Sequence, residues 1–305
     1  MKTPGDKAVT RRRFLGEGAR AALGATAVVG AAGTSLRTGA ATPAEENPWR
    51  YDVDRLRRVD PAAIGYEKTA GFSLEAAGGR RLVWGLGGEL RVAIGKSVRG
   101  YKASGEIIEE WPAGEVVRAL AIGPDGRTYV AVRDRVEVFS GRGERIARWP
   151  AIAGKPFLTG LAVTREAVYV ADSGNRVVYR CDLAGRIEVR IGEKNPEKRV
   201  PGLILPSAFL DVEAGTDGLI RVNNPGRHRI ETYTPDGDLE QSWGKAGVAL
   251  DAFCGCCNPV AVSLTSDGGV VTAEKGLPRV KLYDAGGAME TVVAGPEQFA
   301  PVGSE

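Results

Sequence analysis

The sequence predicts an all-β fold of the β-propeller type. Three observations carry that prediction. Hairpin glycines recur at Gly105, Gly143, Gly185, Gly237 and Gly287, with spacings of 38, 42, 52 and 50 residues. Four residues before each stands Tyr101, Phe139, Cys181, Tyr233 or Tyr283, and six residues after each stands Trp111, Trp149, Ile191, Trp243 or Val293. Short apolar runs fill the intervals without a sustained helical period, in a chain with 42 glycines among 305 residues. A unit of about 40–50 residues with several short strands is one propeller blade.

The chain begins with a different kind of segment. Thr10-Arg11-Arg12-Arg13-Phe14-Leu15-Gly16 precedes a small-residue apolar run from Ala21 to Gly33, and then Thr38-Gly39-Ala40-Ala41. A basic start, a short apolar run and a small-residue exit read as an export signal, and the run is too short and weakly apolar to span a membrane stably. Arg11, Arg12, Phe14 and Leu15 resemble the twin-arginine signal. The resemblance implies passage of a folded protein through the twin-arginine translocase, to the periplasm or the extracellular side. The signal also distorts the charge. The whole chain is formally +3, but residues 1–41 carry seven basic and two acidic side chains, which leaves −2 on the remainder. Nucleic acid is therefore not an expected partner.

The expected organisation is a signal over 1–41, an extension over 42–65, a propeller over 66–295 and a tail over 296–305. In the extension and first copy, residues 66–74 precede the first inner strand as an outer strand would. Copies one and two superpose without gaps, Arg81–Ile94 lying over Ala119–Val132. Their turns, like Pro-Asp-Gly in copy four, suit tight hairpins. Copies three to five carry a more specific pattern. Gly160-Leu161-Ala162-Val163 leads to Val168-Tyr169-Val170-Ala171-Asp172-Ser173-Gly174-Asn175-Arg176. Asn224-Pro225-Gly226-Arg227-His228-Arg229-Ile230 precedes Tyr233, and Asn258-Pro259-Val260-Ala261-Val262 opens the fifth copy. These stretches resemble the NHL repeat, and the resemblance covers roughly residues 75–295. It implies a propeller, usually of six blades, whereas five turn signatures are present. The expectation is therefore five blades, or a six-bladed ring left incomplete.

Composition limits the chemistry. With one histidine, His228, no site needing several imidazoles can be built, and no G-x-S-x-G elbow offers that histidine a nucleophile. No residue is assigned a catalytic role. His228 reads as a turn-stabilising residue and Cys181, at an aromatic repeat position, as a packed hydrophobe. Arg135, Arg229 and Arg279 recur eight residues before their turn glycines and read as bonds between blades, and the tryptophans as outer-strand packing.

Two sets of candidate residues remain. Asp172, Asn223 and Glu274 fall near the ends of second strands, where they would line the channel mouth and bind a polar ligand or a cation such as calcium. Cys254, Cys256 and Cys257 crowd the connection before the fifth copy. They suit a structural disulfide, a copper or zinc site, or a redox pair of Cys254 with Cys257 in C-x-x-C spacing. No cofactor is required by any motif. Three functions follow as expectations. The first is an exported, non-catalytic binding or scaffold propeller for an envelope protein or small ligand. The others are a metal or redox accessory protein using the cysteine loop, and a metal-dependent lactonase-like hydrolase at the channel.

Overall fold

The computed structural model describes residues 13–14, 52–74 and 79–299. Twenty short strands form five four-stranded antiparallel sheets, each in chain order. Blade 1 comprises Gly79–Trp84, Leu90–Ile94, Ser97–Tyr101 and Ile107–Pro112. Blade 2 comprises Val117–Ile122, Thr128–Val132, Arg135–Phe139 and Arg145–Arg148. Blade 3 runs through Leu158–Val163, Val168–Asp172, Val177–Cys181 and Ile187–Ile191. Blade 4 has Val212–Ala214, Ile220–Asn224, Arg229–Tyr233 and Leu239–Trp243. Blade 5 has Ala261–Leu264, Val270–Glu274, Arg279–Tyr283 and Met289–Ala294. The first strands of successive blades lie against one another around the axis. The protein is a five-bladed β-propeller.

The recurring residues explain how blades stack. Each turn glycine has a positive φ, from 81° at Gly143 to 92° at Gly185, which a side chain would resist. A Cβ at Gly143, Gly185 or Gly287 would meet Trp111, Trp149 or Trp243 of the preceding blade. Trp111 stacks on Phe139 with centroids 4.7 Å apart, and Trp243 lies 4.8 Å from Tyr283. Thus the tryptophan of one copy packs under the glycine turn and against the aromatic of the next. The cores are accordingly interblade layers: Val98, Trp111, Leu120 and Phe139 join blades 1 and 2, and Leu161, Tyr179 and Trp149 join blades 2 and 3. Cys181 belongs to the latter core, and burial pushes its thiol up to about 12. That is the behaviour of a packed hydrophobe.

The first blade has no preceding tryptophan, and the segment before it supplies a substitute. Phe72 meets the Gly105 turn and lies 5.3 Å from Tyr101, as the tryptophans do elsewhere. Upstream, Ile64 bridges Val292 of blade 5 in parallel, and Thr291 donates from Oγ1 to the Ala63 carbonyl at 3.0 Å. The segment therefore stitches blade 5 to blade 1. It does not add the full outer strand expected over 66–74. Only Glu67–Lys68 is extended there, paired in parallel with Arg13–Phe14 rather than with a blade. Near the axis this seam is open on blade 1, where Leu82 and Trp84 are 61% and 59% exposed. Arg11, Arg12 and Leu15 of the expected signal lie outside the described residues, and Phe14 is described only as half of that short pair. No helix among the described residues is long and apolar enough to cross a membrane.

Candidate functional site

The interblade connections and the turns between second and third strands emerge at one end of the ring. In blades 3, 4 and 5 the last residue of the second strand, Asp172, Asn224 or Glu274, holds the incoming connection in place. Asp172 is fully buried and accepts from the Phe157, Gly174 and Asn175 amides at 2.9, 3.0 and 3.1 Å. Asn224 accepts from the Ile204 amide, and Glu274 from the Cys254 amide, both at 2.9 Å. Buried carboxylates and amides need such partners to offset their desolvation.

The channel-mouth candidates are thus committed to the ring itself. Asp172 and Glu274 pin connections in separate blades. Glu274 also pairs with Arg279 and Lys281, each at 2.8 Å, in a buried three-charge cluster. Asn223 stands one position before the equivalent residue of its blade. Its amide bonds the Asp211 N–H at 2.6 Å and the Pro259 carbonyl at 2.9 Å. Among the described residues no group of three or more His, Cys, Asp and Glu side chains is placed to hold a metal ion. Asp172, Asn223 and Glu274 are therefore not brought together as one calcium site among the described residues. For Asp172 and Glu274 the reason is physical: a strand-end carboxylate that holds a loop amide points its oxygens into the blade.

The axis holds residues that strand spacing alone does not single out. Arg81, Ala119, Gly160 and Ala261 pair with the penultimate residues of their second strands, Ala93, Ala131, Ala171 and Ala273. Asp211 takes the matching place beside Asn223. Three of these five positions are small, and the other two form an ion pair across the axis, Arg81 to Asp211 at 2.7 Å. Asp211 also accepts from the Val212 and Val262 amides. Glu213, two residues further along the inner strand, is pushed up to about 8 by burial and by the Asp211 charge, against the pull of Arg81.

The cysteine loop is built from three sides. Its Cys254 amide is held by Glu274. The Gly255 carbonyl lies 2.6 Å from His228 Nε2, so that nitrogen carries the proton and donates. His228 itself closes a 3-10 turn in the left-handed region, the turn-stabilising role read from the sequence. Asn258 bonds the Lys275 N–H through Oδ1 and the Lys275 carbonyl through Nδ2, fixing that lysine beside the loop. All four cysteines are free. Cys256 and Cys257 Sγ lie 3.3 Å apart, the first exposed and the second buried. Arg279 reaches the Ala252 carbonyl of the same connection, whereas Arg135 pairs with its neighbour Asp134.

A cavity of about 490 Å³ lies elsewhere, between Tyr66 and the blade 5 residues Thr265, Leu282, Asp284 and Glu290. None of the candidate residues lines it.

No protein-family model matches the sequence, and no curated protein does. Solved propellers do match in fold. A catalytically inactive virginiamycin B lyase from Staphylococcus aureus, with quinupristin, superposes with a TM-score of 0.54 at 13% identity, over 77% of this chain and 74% of that one. A selenomethionine form of the same lyase gives 0.51 at 13% identity, over 68% and 67%. U3-55K gives 0.50 at 12% identity, over 67% and 60%. At such identities the likeness concerns the fold alone.

Proposed function

We propose that this chain is an exported NHL-type propeller that binds an envelope protein without converting it. One observation carries the reading. The end of the ring bearing the interblade connections leaves Phe157, Ile204 and Phe209 exposed, with Arg118 stacked 4.1 Å from the Phe157 ring and the Lys275 ammonium 4.7 Å from that of Phe209. Apolar side chains flanked by cations, on loops held by a rigid ring, suit a protein surface of apolar groups bordered by carboxylates. The axial ion pair and the internally bonded channel residues support binding over catalysis. The alternative of a hydrolase or lyase has only the fold in its favour.

The test uses mature protein as bait for envelope extract, beside a variant carrying Phe157→Ser and Phe209→Ser. Capture of a defined acidic-surfaced protein by the parent, lost in the double variant and weakened by salt, supports the proposal. Equal capture by both, or turnover of a small substrate by purified protein, overturns it. Export is tested separately: Arg11→Lys with Arg12→Lys should leave the protein in the cytoplasm, and unchanged export would remove the twin-arginine reading.

A further inference from the structure

The three cysteines of the connection into blade 5 are not equivalent. Cys256 is exposed and Cys257 buried, with their sulfurs in contact at 3.3 Å. Ser207, on the preceding connection, accepts from Lys275 Nζ at 3.3 Å, and both groups hold the Cys257 thiol below its ordinary value. The loop is held by Glu274, His228 and Asn258, so the pair is presented on a fixed backbone. An ammonium, a hydroxyl and a second thiol around one sulfur form an environment for a thiolate, not for an inert buried thiol.

We propose that Cys256 and Cys257 form a thiol–disulfide exchange site that reduces an accessible disulfide and closes as a Cys256–Cys257 disulfide. The site adjoins the proposed binding surface through Lys275, but the exchange chemistry does not depend on that binding. Cys256 passes its proton to Cys257 across the sulfur contact, and its sulfur attacks one sulfur of the substrate disulfide. The substrate S–S bond breaks, and the departing thiolate takes that proton from Cys257. Cys257, again a thiolate, attacks Cys256 Sγ, forming the bond between the two cysteines and expelling the second substrate thiolate. Two electrons pass from the cysteine pair to the substrate, which leaves as two thiols, one of them ionised.

The charge balance leaves the proton on Cys256 at rest, so its transfer to Cys257 is the uphill step before attack, and attack falls to Cys256 because that sulfur is the exposed one. Burial pushes the Cys257 thiol up, but hydrogen bonds from Ser207, Lys275 and Cys256, with the Lys275 charge, outweigh it and hold it below its ordinary value. Cys256 is pushed up, chiefly by its hydrogen bond to Cys257. Of the two sulfurs, Cys257 is therefore the one that loses its proton first. Lys275 is a positioning residue, acting on the substrate only through Cys257. The C-x-x-C pairing of Cys254 with Cys257 is replaced in this account by adjacent residues.

The experiment treats reduced full-length protein with oxidised glutathione in one arm and with insulin in the other, followed by mass spectrometry. The parent and Cys254→Ser should each lose two hydrogen atoms and release two substrate thiols, without accumulating a mixed disulfide. Reaction in the first arm identifies low-molecular-weight disulfides as substrates, and in the second, protein disulfides. Cys257→Ser should stop at a stable mixed disulfide on Cys256, and Lys275→Met should move the rate-against-pH profile to higher pH. No reaction in either arm overturns the proposal. So does loss of the two hydrogens in Cys256→Ser, or their retention in Cys254→Ser, either of which would place the disulfide on Cys254. The parent and Cys254→Ser results decide the matter even if a Cys257 variant fails to fold.

Discussion

Gly143 shows how much depends on a missing Cβ. Its φ of 81° already disfavours any side chain, and the added carbon would enter the Trp111 ring. Gly218 has a similar φ of 79° but nothing within 4 Å of the position a Cβ would take. Alanine at Gly218 should therefore cost about 1 kcal/mol from backbone strain. Alanine at Gly143 should cost about 3 kcal/mol or more, because overpacking adds to that strain. Urea denaturation of both variants checks the difference, and equal losses would mean that the tryptophan seat is not a packing constraint. Glu274 is the polar counterpart. Its carboxylate neutralises Arg279 and Lys281 inside blade 5 and holds the Cys254 amide. Glu274→Gln leaves two buried cations without their anion and should cost roughly 3–5 kcal/mol. The same denaturation measurement applies, and a loss below 1 kcal/mol would show that water reaches the cluster. The recurrence of Glu274 near a strand end was legible in the sequence. That its oxygens point into the blade was not, because the partners Lys281 and Cys254 come from a neighbouring strand and a connection.

At the scale of the element, the repeat is legible because it is local. The glycine turn marks all five blades, with an aromatic four residues earlier in four of them and a tryptophan six residues later in three, all within one hairpin. What crosses between blades is less legible. The segment before blade 1 reads as an outer strand from its residue types, yet its chief contribution is one ring, Phe72, under the Gly105 turn. Its backbone meets blade 5 only near Ile64 and Thr291, well before the aromatic. Phe72→Ala should therefore loosen blade 1 before the rest of the ring. The expected loss is about 3 kcal/mol, at the low end for truncating a packed aromatic because Phe72 stays partly exposed. Hydrogen exchange should show faster exchange in Ser97–Tyr101 and Leu90–Ile94 than in blade 3. Uniform acceleration across all blades would mean that the segment closes the whole ring rather than capping one blade. The cysteine loop follows the same logic. Its composition is conspicuous in the sequence, but spacing alone points to C-x-x-C; the adjacent pair is distinguished by the 3.3 Å sulfur contact and by Lys275 and Ser207, which lie on other segments.

The whole ring converges on its axis, and there the sequence is least informative, since Arg81 and Asp211 are 130 positions apart. One cation faces two carboxyl groups, Asp211 and Glu213. Asp211 takes the ion pair and two backbone amides, so Glu213, half-buried beside a negative charge, is pushed up to about 8. An unfolded chain would release the Glu213 proton near the ordinary value of 4.5. The folded state therefore binds the extra proton between these limits, and linkage requires stability to fall as pH rises through the interval. The contribution is fully present below pH 4.5 and is lost by about pH 8. Glu213→Gln keeps the size of the side chain and removes the titration. Its urea midpoint, set against the parent's, should gain steadily from pH 4.5 to 8 and then stay level. Other titrating groups are shared by both proteins and cancel in the difference. Parallel curves across that range would mean that water solvates Glu213 and that the axis is open to solvent below the Arg81–Asp211 pair. A rising difference would establish an axis dry enough to keep a carboxylic acid neutral at physiological pH, which is the condition under which an ion pair can act as a closed plug.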